Sequence, residues 1–202
     1  MSTPIDEQLL RRLYIEKEQS MKQIADRCHC SLHKVEYWMN NYGIPRRSIS
    51  DGVYRRYHPN GDPFVFDPPR TFADWKLFGM GIGLYWGEGT KANKYSVRLG
   101  NTDPELLRTF LEFLVRFFRI KKVDCRFGLQ VFTDMEPTKV LDFWSKKLKI
   151  PKRQFYKLTV TRSGSLGTYR KKSQYGVVTI YYHNRKLRDL LVSFLHHRSS
   201  PL

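Results

Sequence analysis

The stretch Gly79-Met80-Gly81-Ile82-Gly83-Leu84-Tyr85-Trp86-Gly87-Glu88-Gly89 decides how this chain is read. Its surroundings predict a helix over 74–87, yet that helix holds Gly79, Gly81, Gly83 and Gly87. Each interior glycine costs about 1 kcal/mol relative to alanine, so something must offset them. Gly79, Gly83 and Gly87 recur every four residues and share one face. A stripe without Cβ atoms lets another helix backbone come close, a device best documented in membranes but general in its geometry. Leu77, Leu84 and Tyr85 fall on the opposite face and suit a core. Glu88 then sits at the C-terminal end, where the helix dipole disfavours a carboxylate by roughly 0.3–1 kcal/mol. A chain that keeps an acid there, between two glycines, is expected to use it. Two such helices meeting along their glycine stripes bring two Glu88 carboxylates together. Paired acidic oxygens facing a phosphate suit a hard cation of the Mg²⁺ type.

Residues 81–89 resemble the nine-residue signature of the LAGLIDADG homing endonucleases. Gly83, Leu84, the acid at Glu88 and the closing Gly89 match it. Trp86 stands where the signature has its first Asp, and Glu88 is one methylene longer than the usual acid. The resemblance implies a motif helix that forms a two-fold interface through Gly79, Gly83 and Gly87. It implies a catalytic Glu88 and a metal site, for Mg²⁺, at Glu88 and Gly89. It also implies a homodimer that hydrolyses phosphodiesters in double-stranded DNA.

The elements that follow agree with that family's mixed α/β fold. A short hairpin including 95–99 comes first. Asp103-Pro104 opens a helix with proline at its first position, buried through Leu106, Leu107, Phe110, Leu114 and Phe117. A strand is expected over 123–132. Thr133-x-x-Glu136 opens a further helix at about 135–148, with Val140, Leu141 and Trp144 inward. Strands are expected over 155–162 and 175–182, and Asn184 caps a last helix through Leu187, Leu190, Leu191 and Phe194. Strand faces alternate. One face takes Val97, Leu99, Phe127, Leu129, Val131, Leu158 and Val160 to the core. The other presents Ser96 and Arg98, Arg126 and Gln130, and Lys157, Thr159 and Thr161. Such side chains contact base edges and phosphates, and the near absence of Asp and Glu among them favours DNA over an ordinary solvated face. The expectation is an antiparallel sheet forming a DNA-facing saddle. Lys91 joins these contacts, and Arg170, Lys171 and Lys172 supply a basic loop for phosphates or a merely mobile one.

The N-terminal part reads as all-helical. Leu9, Leu10, Leu13 and Tyr14 predict a helix over 5–17. Ser20 and Gln23 form a capping box for a second helix. Ser31 caps a third over 32–41, stopped by Gly43, with Val35, Trp38 and Met39 inward. His33, Lys34, Tyr37 and Asn40 face outward. This pattern resembles bacterial and phage helix-turn-helix domains, whose last helix enters the major groove. His29 stands at a turn position where glycine is usual. Cys28 and Cys30 fall on core positions, and no second Cys or His pair follows at zinc-finger spacing. Residues 48–72 lose periodicity and hold turn-formers, so they read as a linker. Arg46, Arg47, Arg55, Arg56 and Arg70 either follow a phosphate backbone there or are merely solvated.

The organisation is thus 1–47 helix-turn-helix, 48–72 linker, 73–197 LAGLIDADG-like domain and 198–202 tail, in an α+β chain. A formal charge of +17 over 202 residues points to a polyanionic partner, with nucleic acid ahead of an anionic membrane surface. With 41% hydrophobic residues, wholesale disorder is excluded. The apolar run 77–86 is too short to span a bilayer. The acidic start, Met-Ser-Thr-Pro-Ile-Asp-Glu, lacks an apolar signal core, so export is not expected. Three Cys fit a reducing compartment. A cytoplasmic, nucleoid-associated protein of prokaryotic or phage origin is expected. The rival to a nuclease is a non-cleaving regulator or architectural binder on the same fold. RNA binding is a third reading, which the helix-turn-helix pattern disfavours. His196 and His197 read as a frayed tail.

Overall fold

The computed structural model describes residues 4–163 and 173–195. The chain divides into two compact units, Met1–Asp62 and Pro63–Leu202.

In the first unit, Asp6 caps α1 (Glu7–Arg11) by accepting the Leu9 N–H at 2.7 Å. The expected single helix over 5–17 does not hold one geometry: residues Arg12–Glu16 widen into a π turn. The Ser20/Gln23 capping box starts α2 (Met21–Arg27), and Ser31 caps α3 (Leu32–Asn41). His29, between them, has φ of 48°. It adopts the left-handed conformation that glycine takes without steric cost. Ile24, Ala25, Val35 and Met39 form the core with Leu10 and Leu13. Cys28 and Cys30 are half-buried rather than enclosed. The Arg11 guanidinium donates to the Tyr42 carbonyl at 2.9 Å, and the Tyr42 hydroxyl donates to the Ile5 carbonyl at 2.8 Å. Together they tie the first helix to the end of the third.

Residues 48–72, expected to lack regular structure, contain a helix and the boundary between the two units. Ser48 caps α4 (Ile49–Tyr57), and Asp51 stabilises its first turn. The turn-formers at 48–52 proved to be the start of a helix, because serine and aspartate serve caps as readily as loops. Beyond residue 62, Phe64 and Phe66 pack on the second unit's core. The N–H groups of Val65 and Asp67 donate to the carbonyls of Phe118 and Phe117.

The second unit is α+β. Helices α5 (Phe72–Glu88), α6 (Pro104–Phe118), α7 (Pro137–Leu148) and α8 (Arg185–Leu195) share one core with strands β1 (Val97–Asn101), β2 (Arg126–Phe132), β3 (Thr159–Thr161) and β4 (Val177–Tyr182). The sheet order is β1-β4-β2-β3. β4 runs antiparallel to β1 and β2, whereas β2 and β3 are parallel. The sheet is therefore mixed, not antiparallel. The chain leaves β2 through α7 before returning as β3, and such a crossover delivers the next strand in the same direction.

Several boundaries shift. Pro137, not Thr133, starts α7, with Glu136 at the cap position. The strand expected over 155–162 is confined to the edge residues Thr159–Thr161, and Val160, expected in the core, is 55% exposed among the described residues. Lys157 lies before it. On α6, Leu107, Phe110, Phe113, Leu114, Phe117 and Phe118 are all buried. Each such large side chain contributes about 1.5–3 kcal/mol. No helix among the described residues is long and apolar enough to cross a membrane.

Candidate nucleic-acid interface and carboxylate

Helix α5 carries the glycine-rich stretch, and its two faces differ. Gly81 is buried, and a Cβ built there would lie 2.1 Å from Cγ of Phe113. Here glycine lets α5 approach α6. Tyr85, one turn on, is enclosed and stacks with Phe110 at 6.1 Å. A Cβ on Gly79, Gly83 or Gly87 would meet nothing within 4 Å. The exposed side chains Phe72, Trp75, Met80 and Trp86 belong to the same side of the helix.

Both ends of α5 are secured. Thr71 and Asp74 form a capping box, and the Asp74 carboxylate also accepts two hydrogen bonds from Arg116, at 3.0 and 2.9 Å. Backbone N–H donation from Arg70, together with Arg116, holds the Asp74 carboxyl below the usual range. At the far end the Gly89 N–H donates to Tyr85 O at 3.0 Å. A Cβ on Gly89 would collide with that carbonyl at 2.3 Å. The Lys91 ammonium donates to the Trp86 carbonyl, which places a cation at the negative end of the helix. The Lys91 carbonyl in turn accepts from Arg188. Lys91, expected on DNA, is thus engaged with its own chain.

Glu88, the last residue of α5, is exposed and makes no hydrogen bond or ion pair among the described residues. Asp103, the next acid along the chain, caps α6 through the N–H groups of Glu105 and Leu106. No group of three or more His, Cys, Asp or Glu among the described residues is arranged to hold a metal. Glu88 fits a hard cation by its oxygen chemistry. One carboxylate is a partial donor set, so a second copy or a phosphate would have to complete it.

The open face of the sheet is ordered in rows. Arg98 pairs with Tyr181, which pairs with Arg126, so the three lie side by side across β1, β4 and β2. The next row is Gly100, Thr179 and Gly128, and the one beyond joins Val177, Gln130 and Thr159. Gln130 donates to Thr161 Oγ1 at 2.9 Å. No strand residue on this face is acidic. Ser96 does not join the face: it is buried, accepting from Arg98 Nε and donating to Asn93. Sequence reading missed Tyr156, Tyr181 and His183. The period-two alternation of Thr179 and Tyr181 against Val178, Ile180 and Tyr182 was the available signal for Tyr181. Tyr156 bonds His183 across 27 positions, at 2.7 Å, and no local pattern reports that.

In the N-terminal unit, His33, Tyr37 and Asn40 are exposed on α3 and Lys34 is half-buried. Arg46 is ion-paired with Glu36. Arg47 is a correction. Its guanidinium sits 4.0 Å over the Tyr14 ring and donates to the carbonyls of Tyr14, Glu18 and Gln19. It gathers carbonyls freed where the first helix ends, so it clamps the fold rather than waiting for phosphate. Arg70 pairs with Asp67. Arg170, Lys171, Lys172, His196 and His197 lie outside the described residues.

Comparison with protein-family models, with curated proteins and with solved structures gives no match.

Proposed function

We propose that this chain binds double-stranded DNA through the exposed residues of α3 and the open face of its sheet, and that it cleaves DNA as a LAGLIDADG-type homodimer. The observation that carries the reading is the open side of α5. Three glycines there leave room for a backbone that none of the described residues supplies, and Glu88, without a hydrogen bond or ion pair among those residues, ends the same helix. A second copy packed along Gly79, Gly83 and Gly87 covers the exposed aromatics and sets two Glu88 carboxylates near one two-fold axis. Mg²⁺ held between them would stabilise charge on a phosphate and acidify its bound water. The chain's part is to place Glu88, which the Gly89 and Lys91 contacts at the helix end do. In the N-terminal unit, α2, the left-handed His29 and α3 follow helix-turn-helix order, with His33, Lys34, Tyr37 and Asn40 placed to read bases.

The test is cleavage of plasmid and genomic DNA with and without Mg²⁺, using wild type and Glu88→Gln. The amide keeps size and removes charge. Loss of a metal ligand should cost at least the ~100-fold that outer-sphere partners do, while DNA affinity survives. A Glu88→Gln protein that cuts at the wild-type rate sinks the assignment. A non-cleaving regulator is the second reading. Trp86, 66% exposed where the signature has an acid, favours it, since the chain departs there from the signature on which the cleavage reading rests. That reading expects discrete DNA binding and no Mg²⁺-dependent breaks from either protein.

A further inference from the structure

One corner of the sheet's open face holds a cluster that neither the glycine helix nor the signature explains. His183 follows β4 directly. Its Nε2 is 2.7 Å from the Tyr156 hydroxyl, and its ring stacks on Tyr181 with centroids 6.1 Å apart and planes at 21°. Tyr156 meets Tyr181 edge to face at 5.6 Å. The Arg98 guanidinium lies 5.3 Å over the Tyr181 ring, and Arg126 flanks the same tyrosine from the other neighbouring strand.

Each arginine is anchored by one nitrogen. Arg98 Nε donates to Ser96, and one Arg126 Nη donates to the carbonyls of Val123 and Cys125. Their remaining N–H groups make no hydrogen bond among the described residues. Gly128 belongs to the arrangement as well. A Cβ there would come within 3.0 Å of the Tyr181 ring, so its absence lets that ring lean across β2.

We propose that Arg98, Arg126, Tyr156, Tyr181 and His183 form a subsite for one backbone phosphate of the DNA, in which His183 takes up a proton as the phosphate docks. The proposal rests on the DNA reading above and adds to it a defined anion site and a pH dependence. Two guanidinium groups with spare donors, a histidine and a phenol on one surface match the oxygens of a phosphodiester. Among the described residues, the charged or titratable groups facing His183 are Arg98 from β1, Arg126 from β2, Tyr156 from the segment before β3, and Tyr181 from β4. None carries negative charge at neutral pH. In the free protein, partial burial and the two arginines therefore hold the imidazole below its ordinary range, which favours its neutral form at neutral pH. A phosphate reverses that field and favours imidazolium. Protonation makes both ring nitrogens donors, so Nε2–H then donates to the Tyr156 oxygen. The phenol's own O–H is released to turn toward a phosphate oxygen. One proton is taken from solvent and no covalent bond changes.

The experiment measures binding of a fluorescent random-sequence duplex by the full chain from pH 5.5 to 8.5, about the ordinary range of histidine, at constant ionic strength. Wild type, His183→Gln and Tyr156→Phe are compared. His33 is present in all three, so the reading is the difference between proteins. Wild-type affinity should rise relative to His183→Gln as pH falls, by up to about tenfold per pH unit where one proton is linked. Tyr156→Phe should keep part of that slope with weaker binding at the acid end. The ring-proton resonance of His183 should titrate at higher pH with duplex bound than without. Parallel pH profiles for wild type and His183→Gln, both binding DNA, overturn this proposal alone. Absence of DNA binding by wild type at every pH overturns the DNA reading and this proposal with it.

Discussion

Gly81 and Gly83 are two residues apart on one helix, and they are glycine for different reasons. At Gly81 the reason is inside the chain: the Phe113 ring occupies the place of a Cβ. At Gly83, and at Gly79 and Gly87 with it, the described residues give no reason, since a Cβ there meets none of them within 4 Å. All of them incur the same propensity cost of about 1 kcal/mol. On the inner face it is offset by close packing of α5 on α6. On the outer face nothing among the described residues offsets it, which is the gap the proposed dimer would fill. A glycine stripe is informative only once the structure shows which glycines the chain already uses.

The largest expected effect tests the inner face. Gly81→Ala drives a methyl into the base of the Phe113 ring, which has no free end to swing away. Overpacking of this kind costs about 1–3 kcal/mol. The melting temperature should fall, by roughly 2–4 °C per kcal/mol in a chain of this size. A Gly81→Ala protein as stable as wild type breaks the contrast at its firmer end.

The outer face should respond with the opposite sign. Gly79→Ala and Gly83→Ala, made together, should raise the stability of the isolated chain by up to about 1 kcal/mol each, because nothing opposes the new methyl groups. They should weaken self-association in sedimentation, and Gly83→Leu should abolish it along with tight DNA binding. Unchanged association in both variants would remove the reason offered for the stripe.

The smallest effect concerns the anchoring of that helix. The Asp74 carboxyl titrates below its ordinary value in the folded chain, first through the Arg70 N–H and then through Arg116. The unfolded chain therefore binds its proton first as pH falls. The stability this group contributes is present above about pH 4, near the unfolded carboxyl pKa, and is lost as pH drops through the folded value. Asp74→Asn should flatten that acid limb of a denaturation-against-pH curve. An unaltered limb would detach Asp74 from the stability of α5. The Cys125 thiol offers a control on the same core: burial pushes it up to about 12, so it should stay unalkylated near neutral pH in every variant that folds.

What the sequence determined by itself is local. The capping box at Ser20, the positive φ at Gly43, the buried stripe of α6 and the alternation of β2 and β4 all follow from side chains a few positions apart. Glu88 at the end of a glycine-rich helix was equally legible, as were the exposed residues of α3. The tertiary structure alone decided the rest. The direction of β3, the helix hidden in 49–57 and the commitment of Arg47 to three carbonyls depend on contacts no window contains. The row Arg98, Tyr181, Arg126 joins three strands drawn from distant parts of the chain, and His183 finds Tyr156 only once β4 is in register. Backbone propensity and hydrophobic period act over a few residues. Hydrogen-bonded register and the convergence of charges are set by which strands become neighbours, and that is fixed only when the core closes.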